Sequence, residues 1–147
     1  MYEVVPAAAQ DLIAIRALLQ RSGLPTSDLD SARPDFMLIR ENDCVIAAGA
    51  LQRFGSSALL RSVVVAPEHR ERGLGRAMVS ELERLARTAH VNQFVLLTQS
   101  AAEFFARQGY RVIERSRAPH EVQSSEEFRS LCPSSATCMA KSLTNAA

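Results

Sequence analysis

Residues 62–76 of this chain read SVVVAPEHRERGLGR and carry the clearest structural pattern of the sequence. Its β-branched start favours a buried strand, and the pattern from Arg76 onward favours a helix. Gly73 and Gly75 lack Cβ, so their backbone can adopt positive φ and bring N–H groups close to the oxygens of a ligand. The following helix adds the positive end of its dipole. The stretch therefore predicts an anion-binding loop between a strand and a helix.

The spacing of this loop excludes two common phosphate-binding motifs. GxxxxGK[ST] is absent, and GxGxxG would need a third glycine where Met78 or Val79 stands. RERGLG, at residues 70–75, fits RxxGxG instead, and a second motif, FVLLTQSAAEFFARQGY, follows at residues 94–110. Together the two motifs resemble the GCN5-related N-acetyltransferase (GNAT) superfamily, whose Q/RxxGxG/A loop binds the pyrophosphate of acetyl-CoA. The resemblance covers residues 2–113.

This resemblance implies a mixed α/β fold with a central, mostly antiparallel sheet of six to seven strands and flanking helices. The chain of 147 residues suits one domain, so we expect a single GNAT domain over residues 1–147. Periodicity and turn residues predict a tight hairpin at residues 41–43 and a helix that starts at a capping Ser100. The predicted strands cover residues 2–5, 36–40, 44–54, 58–65, 94–97, 110–114 and 137–143, and the predicted helices cover 8–21, 76–89 and 100–108.

The composition limits the classes of partner that we expect for this protein. A net charge of +1, two tyrosines and no tryptophan give no basic surface with stacking aromatics, so nucleic acid is not expected. Without an apolar stretch of bilayer length or a basic start followed by an apolar run, we expect a cytoplasmic protein with no membrane partner. Three cysteines without a CxxC pair predict neither a disulfide framework nor a metal site. Cys132 and Cys138 leave open a soft-ion site, against one buried and one loop cysteine.

The cofactor prediction centres on the glycine loop. Backbone amides from Arg70 to Arg76 would bind the diphosphate, and the guanidiniums of Arg70, Arg72 and Arg76 would add charge-assisted hydrogen bonds; the alternative is a solvated helix start. The resemblance implies that the pantetheine arm pairs with the backbone of the preceding strand. The predicted acetyl-CoA contacts are Val63, Val65, Arg70, Glu71, Arg72, Gly73, Leu74, Gly75, Arg76 and Phe105.

The proton-transfer groups are not assigned by the motifs. The family's glutamate base falls on Leu59 and its tyrosine acid on Phe105, and neither side chain can transfer a proton. Ser62 and Thr98 are the remaining catalytic candidates. Their alternative role is to satisfy backbone groups at the strand ends.

Arg61 is the unusual residue of the strand LLRSVVVA, because a permanent charge there must reach a cavity, a partner or the sheet rim. We predict that it anchors an oxyanion of the acceptor, with Thr26 and Asp28 contributed by the loop over the acceptor pocket. The alternative is that Arg61 pairs with Asp28, Asp30 or Glu41.

A closer resemblance extends over nearly the whole chain. LPTSDLD (24–30), LLRSVVVAP (59–67) and EFRSLCPSSATCM (127–139) resemble the arsenic-operon-associated branch, which is related to amino-acid N-acetyltransferases. It implies a small-molecule amine acceptor, including arsenic-containing or phosphinic glutamate analogues. Protein or peptide N-acetylation and a non-catalytic acyl-CoA sensor are the alternatives. A homodimer through an exposed last strand also remains open.

Overall fold

The computed structural model describes residues 2–144, which form one seven-stranded sheet in the order β1-β2-β3-β4-β5-β7-β6. Neighbouring strands are antiparallel except for β4 and β5, which are parallel. The predicted mixed, mostly antiparallel α/β fold is therefore confirmed. The strands are β1 (Val5–Pro6), β2 (Asp35–Glu41), β3 (Cys44–Phe54), β4 (Ser57–Val65), β5 (Gln93–Thr98), β6 (Arg111–Val112) and β7 (Thr137–Ser142).

The helices cover both faces of the sheet. They are α1 (Leu12–Arg21), α2 (Leu29–Ala32), α3 (Leu74–Thr88), α4 (Ala102–Arg107) and α5 (His120–Gln123). Single 3₁₀ turns occur at Ala9–Asp11, Pro67–His69 and Arg115–Arg117, and a π-helical turn occupies Glu127–Leu131.

Several predicted boundaries were wrong for local reasons. The first α-helix begins at Leu12 rather than Ala8, because a 3₁₀ turn precedes it and the Asp11 carboxylate accepts a hydrogen bond from the Ala8 amide. Ser100 does not cap α4: the Thr98 hydroxyl accepts a hydrogen bond from the Ala101 amide at 2.9 Å, and the helix begins one residue later. Strand β1 starts at Val5 instead of residue 2, and β6 is limited to two residues.

The turn between β2 and β3 matches its prediction. Asn42 and Asp43 have φ values of 53° and 64°, and the strands on either side are hydrogen-bonded up to Glu41 and Cys44. Two consecutive positive φ values are the signature of a two-residue hairpin loop, and Asn and Asp tolerate them best among non-glycine residues.

The largest core lies between the sheet and the α3–α4 side. Leu82 and Met78 of α3 pack there against Phe94 and Leu96. Gly49 of β3 allows this close approach, since a Cβ at that position would lie 2.8 Å from side-chain atoms of both Leu82 and Met78. The opposite face carries two smaller cores, one under α1 and α2 and one under α5 and the π-helical turn.

A β-bulge in β4 opens the sheet. Ala48 pairs with Val64 and Ala50 pairs with Arg61, so β4 contains one residue more than β3 across this interval. Ser62 lies within the bulge with a φ of +59°. The parallel pairing of β4 with β5 extends only from Ser57 to Leu59. Beyond that point the two strands diverge, because a bulge bends its strand and increases the local twist.

The last strand is not at an edge. Strand β7 pairs with β5 along its whole length and with β6 at Ala140 and Met139. In the homodimer that the sequence left open, a second copy pairing with the last strand would meet β6 at Met139 and Ala140. Within residues 2–144 the edges of the sheet are β1 and β6.

Candidate active site

A cleft of about 800 Å³ fills the space between the diverging ends of β4 and β5. One end is formed by the loop from His69 to Arg76 together with Phe104 and Arg107 of α4. At the other end, where the strands begin to diverge, the cleft is lined by Arg61, Glu127 and Cys132. We call these the loop end and the vertex end. A second cavity of about 580 Å³ lies beside β1 and the outer part of α3, away from these groups.

The loop end has the geometry of an anion cradle. Glu71 and Gly73 have φ values of 65° and 78°, and α3 begins directly after Gly73 and continues for 15 residues. Within residues 2–144, the backbone amides of residues 71–76 donate no hydrogen bond to a protein acceptor. Exposed amides at the start of a helix bind anionic oxygens, and the helix dipole adds to the attraction.

Gly75 has a different role from Gly73. A Cβ at Gly75 would lie 3.2 Å from the Phe104 ring, whereas a Cβ at Gly73 would meet nothing within 4 Å. Gly73 is therefore needed for its positive φ, and Gly75 for the close approach of α4. The Phe104 ring also packs edge-to-face on Phe105, with ring centroids 5.0 Å apart. This pair forms an apolar wall of the cleft.

The arginines of the loop divide into two groups. Arg70 and Arg76 line the cleft, and Nε of Arg70 donates a hydrogen bond to the Val65 carbonyl at 3.3 Å. The Arg72 side chain does not line it: Nη1 lies 3.1 Å from the Tyr2 hydroxyl and 3.2 Å from Nδ1 of His69. The Arg72 guanidinium is thus occupied by Tyr2 and His69, and its contact with a phosphate stays a prediction.

Arg107 at the loop end was not predicted from the sequence. It lines the cleft from the last turn of α4, three residues after Phe104 and so on the same side of the helix. Within residues 2–144, none of Arg70, Arg76 and Arg107 forms an ion pair with a carboxylate. The sequence did contain a clue, because Arg107 follows Phe104 by three residues and a helix would place both side chains toward the glycine loop.

The other predicted cofactor residues occupy distinct positions. Val63 and Val65 line the cleft from the part of β4 that has no β5 partner. Glu71 lines it as an exposed residue at the loop turn. Leu74 also borders it, although its side chain belongs mainly to the large core.

The hydroxyl candidates both face the cleft. Thr98 Oγ1 accepts the Ala101 amide, so it closes the turn before α4 as its alternative role predicts. Ser62 Oγ lies 3.4 Å from Nε of Arg61. At the two positions aligned with the family's base and acid, Leu59 is fully buried in the core under α5, and Phe105 lines the cleft with an apolar ring.

Arg61 forms a buried cluster at the vertex end. Its side chain is 1% exposed, and Asp28 accepts from Nη1 and Nη2 at 2.6 and 2.7 Å. Gln52 accepts a further hydrogen bond from Nη1 at 3.0 Å, and Oε2 of Glu127 lies 3.1 Å from Nε. We call Asp28, Arg61 and Glu127 the Arg61 cluster. Its formal charge with both carboxylates ionised is −1.

This arrangement corrects the predicted acceptor contacts. Arg61 donates to Asp28 and Gln52, so its guanidinium is directed at protein acceptors and not at an acceptor oxyanion, as the alternative of pairing with Asp28 predicts. Asp28 is 2% exposed and faces Arg61 rather than the cleft. Thr26 lies just beyond the cleft-lining residues 22–25, and its carbonyl accepts a hydrogen bond from Arg16.

Glu127 and Cys132 were not assigned to the site from the sequence. The Cys132 thiol donates to Oε1 of Glu127 at 3.6 Å, and both residues line the cleft. Burial raises the pKa of Glu127, the Arg61 charge opposes this shift and the Asp28 charge adds to it. Burial and the neighbouring Glu127 raise the pKa of Cys132 to about 12, so this thiol is a donor at neutral pH. Cys138 lies instead in the core under α5.

Comparison with known proteins agrees with this geometry. The family model for the GNAT acetyltransferase domain matches residues 32–112, which is more than half of the chain. This protein therefore belongs to the GNAT acetyltransferase family, and the predicted superfamily is confirmed.

Individual relatives refine the comparison. An uncharacterized N-acetyltransferase of Chlorobaculum tepidum is 35% identical over 65 residues, which span 44% of this chain and 41% of that protein. N-acetylglutamate synthase from Neisseria gonorrhoeae, solved with coenzyme A and N-acetyl-glutamate, has a TM-score of 0.83 at 16% identity, covering 98% of this chain and 35% of that one. At this low identity, the similarity shows a shared fold and nothing more. The Mycobacterium tuberculosis protein Rv2747, solved with CoA and a second ligand, has a TM-score of 0.81 at 25% identity, covering 97% and 99% of the two chains.

The residues present fit acetyl-CoA, the acetyl donor of this family. The unpaired amides of the loop and the nearby arginines suit a diphosphate, and the apolar cleft between β4 and β5 suits an extended thioester-bearing arm. Within residues 2–144, no group of three or more His, Cys, Asp or Glu side chains is arranged to hold a metal ion. None of the helices in that range has the length and apolar character needed to cross a membrane.

Proposed function

We propose that this protein transfers the acetyl group of acetyl-CoA to the primary amine of a small, amino-acid-like molecule. The cleft between β4 and β5 carries this proposal, because it joins a diphosphate-binding loop at one end to a cluster of buried charged groups at the other. The loop and its arginines bind the donor, and the vertex end receives the acceptor amine.

The size and walls of the cleft support a small acceptor. Its volume lies within the range typical of small-molecule sites. Residues 22–25, from the loop between α1 and α2, close it on one side, and Glu127 and Cys132 close it on the other. A protein substrate would need a more open groove at the vertex end.

Charge at the vertex end supports an acceptor that arrives as an ammonium group. The Arg61 cluster carries two carboxylates for one guanidinium, so the negative charge in excess attracts a cation. The acceptor's own carboxylate, or an arsenic or phosphinic acid group in its place, is then bound by groups other than Arg61. Glutamate, its arsenic-containing and phosphinic analogues and neutral amino-acid amides are therefore the acceptors to compare.

A non-catalytic acyl-CoA sensor is the second candidate. The observation in its favour is that the two positions expected to move protons are the apolar side chains Leu59 and Phe105. Such a sensor would bind acetyl-CoA without consuming it.

The test is to incubate the purified protein with acetyl-CoA and single amines and to follow release of the CoA thiol. The panel contains amino acids, the glutamate analogues, polyamines and short peptides, and Gly73→Val serves as the variant with an impaired donor site. Turnover restricted to small amino-acid-like amines is the expected result. Preference for peptides would replace the proposal with protein acetylation, and acetyl-CoA binding without turnover on any amine would favour the sensor.

A further inference from the structure

The cluster at the vertex end contains a carboxylate oxygen without a hydrogen bond. Oε2 of Glu127 is fully buried and accepts none within residues 2–144. It lies 3.1 Å from Nε of Arg61, yet the N–H at that nitrogen is directed toward Ser62 Oγ instead. The other oxygen, Oε1, is held by the Cys132 thiol. A buried acceptor atom left without a donor is costly, so such an atom requires an explanation.

The charge of Glu127 is not required to neutralise Arg61 in the folded protein. Arg61 is already neutralised by the bidentate contact with Asp28, at 2.6 and 2.7 Å. Glu127 therefore adds a second negative charge to a satisfied ion pair rather than completing one. A side chain that only balanced Arg61 would not need to be the second of two buried carboxylates.

The backbone at Glu127 is also unusual. The residue begins the π-helical turn Glu127–Leu131, a local geometry that is frequent at functional sites. Phe128, the next residue, is buried in the core under α5, and its amide donates to Ser125 Oγ at 3.3 Å. This anchoring fixes the start of the turn, and Glu127 lies in the lining of the cleft.

We propose that Glu127 is the general base of this acetyltransferase and that its carboxylate accepts a proton from the ammonium group of the acceptor. The inference rests on the proposed function and supplies the proton acceptor that the apolar residue Leu59 cannot provide. Cys132 is a positioning residue in this scheme, because its thiol holds Oε1 and so orients the Glu127 carboxylate at the edge of the cleft.

The proposed step transfers the acetyl group together with two protons. The Glu127 carboxylate takes one proton from the ammonium nitrogen, and the freed electron pair forms the N–C bond to the acetyl carbonyl carbon while the C–S bond to CoA breaks. The nitrogen loses its second proton to the departing thiolate. The products are the amide and the CoA thiol, and Glu127 passes its proton to solvent.

The pH dependence follows from the groups that face this carboxylate. These are Arg61 from β4, Asp28 before α2 and Cys132 after the π-helical turn. Burial and Asp28 raise the pKa of Glu127 toward the working pH of a base, and Arg61 limits the rise. The rate is therefore expected to fall at low pH as Glu127 becomes protonated.

The test compares Glu127→Gln with Glu126→Gln, a matched change at the exposed neighbouring residue. For an amine that is protonated at the assay pH, Glu127→Gln is expected to lower kcat by about 10²–10⁴-fold, to abolish the acid limb of the profile and to leave the Kd for acetyl-CoA unchanged. Hydroxylamine, which is neutral at that pH, needs no base, so its acetylation is expected to survive in the variant. Glu126→Gln is expected to behave as wild type.

A second variant keeps the test independent of folding in Glu127→Gln. Cys132→Ala removes the donor to Oε1, which destabilises the charged form, so the acid limb is expected to move to higher pH. An active wild type with an unchanged kcat and acid limb in Glu127→Gln would overturn the base assignment alone, as would an unmoved limb in Cys132→Ala. A wild type that binds acetyl-CoA and acetylates no amine would overturn the proposed function and the base together.

Discussion

The hydroxyl of Tyr110 donates a 2.8 Å hydrogen bond to Oε2 of Glu83, a residue buried on α3. Nζ of Lys141 on β7 lies 3.0 Å from both oxygens of the same carboxylate and donates to the Gln108 carbonyl at 2.8 Å. These contacts join the helix that follows the glycine loop to the end of α4 and to the sheet. The GY pair of the second motif, Gly109 and Tyr110, therefore lies where α3, which follows the glycine loop, is linked to α4 and β7.

Tyr110→Phe removes this hydrogen bond and keeps the ring, which packs 5.7 Å from Phe105 between centroids. We expect a loss of about 1–2 kcal/mol in the free energy of unfolding, because the charged partner stays buried and retains Lys141. Urea denaturation measures it. Since Tyr110 does not line the cleft, kcat is expected to persist, and a large fall in kcat at unchanged stability would instead make the hydroxyl a proton donor.

Gly73→Val places a β-branched side chain at a φ of +78°. The shifted loop would lose the diphosphate contacts of two or more amides, so we expect acetyl-CoA to bind on the order of a hundredfold more weakly by calorimetry. Gly55→Val is the matched control: Gly55 has a φ of +65°, equally open surroundings and no part in the cleft. An equal change of Kd in both variants would attribute the effect to global strain.

Arg107→Ala is expected to raise the Kd for acetyl-CoA roughly tenfold, because it removes one charge-assisted contact with the diphosphate. The dependence of Kd on salt should weaken at the same time. Arg111→Ala, an exposed arginine on β6 outside the cleft, serves as the control. Identical salt dependence in wild type and Arg107→Ala would exclude a diphosphate contact by Arg107.

The raised pKa of Glu127 leads us to expect that pH affects the stability of the protein as well as its rate. Burial raises its pKa in the folded state above the ordinary 4.5, so the stability it contributes is complete below that pH and is lost as pH rises through the folded-state pKa. Glu127→Gln lacks this loss. Chemical unfolding of both proteins as a function of pH is expected to show a difference near zero at low pH that grows in favour of the variant toward neutrality. A variant that is less stable than wild type at neutral pH would indicate a structural ion pair.

Local patterns were sufficient for most of the fold. The hairpin at Asn42 and Asp43 follows from residues that tolerate positive φ, and the glycine loop follows from Gly73 and Gly75 after a β-branched strand. The predicted helix starts were wrong where a side chain forms a hydrogen bond with a nearby backbone amide. The turn before α4 is closed by Thr98 instead of Ser100, and a 3₁₀ turn that ends at Asp11 comes before α1. Both features depend on the path of the preceding strand or loop.

The family and the glycine loop could be predicted from the sequence, because both depend on contiguous residues whose conformational preferences are local. Tertiary structure alone decided the vertex end of the cleft. Arg61 meets Asp28 from 33 residues earlier and Glu127 from 66 positions later only because α2 and the π-helical turn cover the same face of β4. Whether a buried arginine faces a ligand or a carboxylate depends on which distant charges the packing brings within hydrogen-bond distance. The separation of residues along the chain does not show which charges these are.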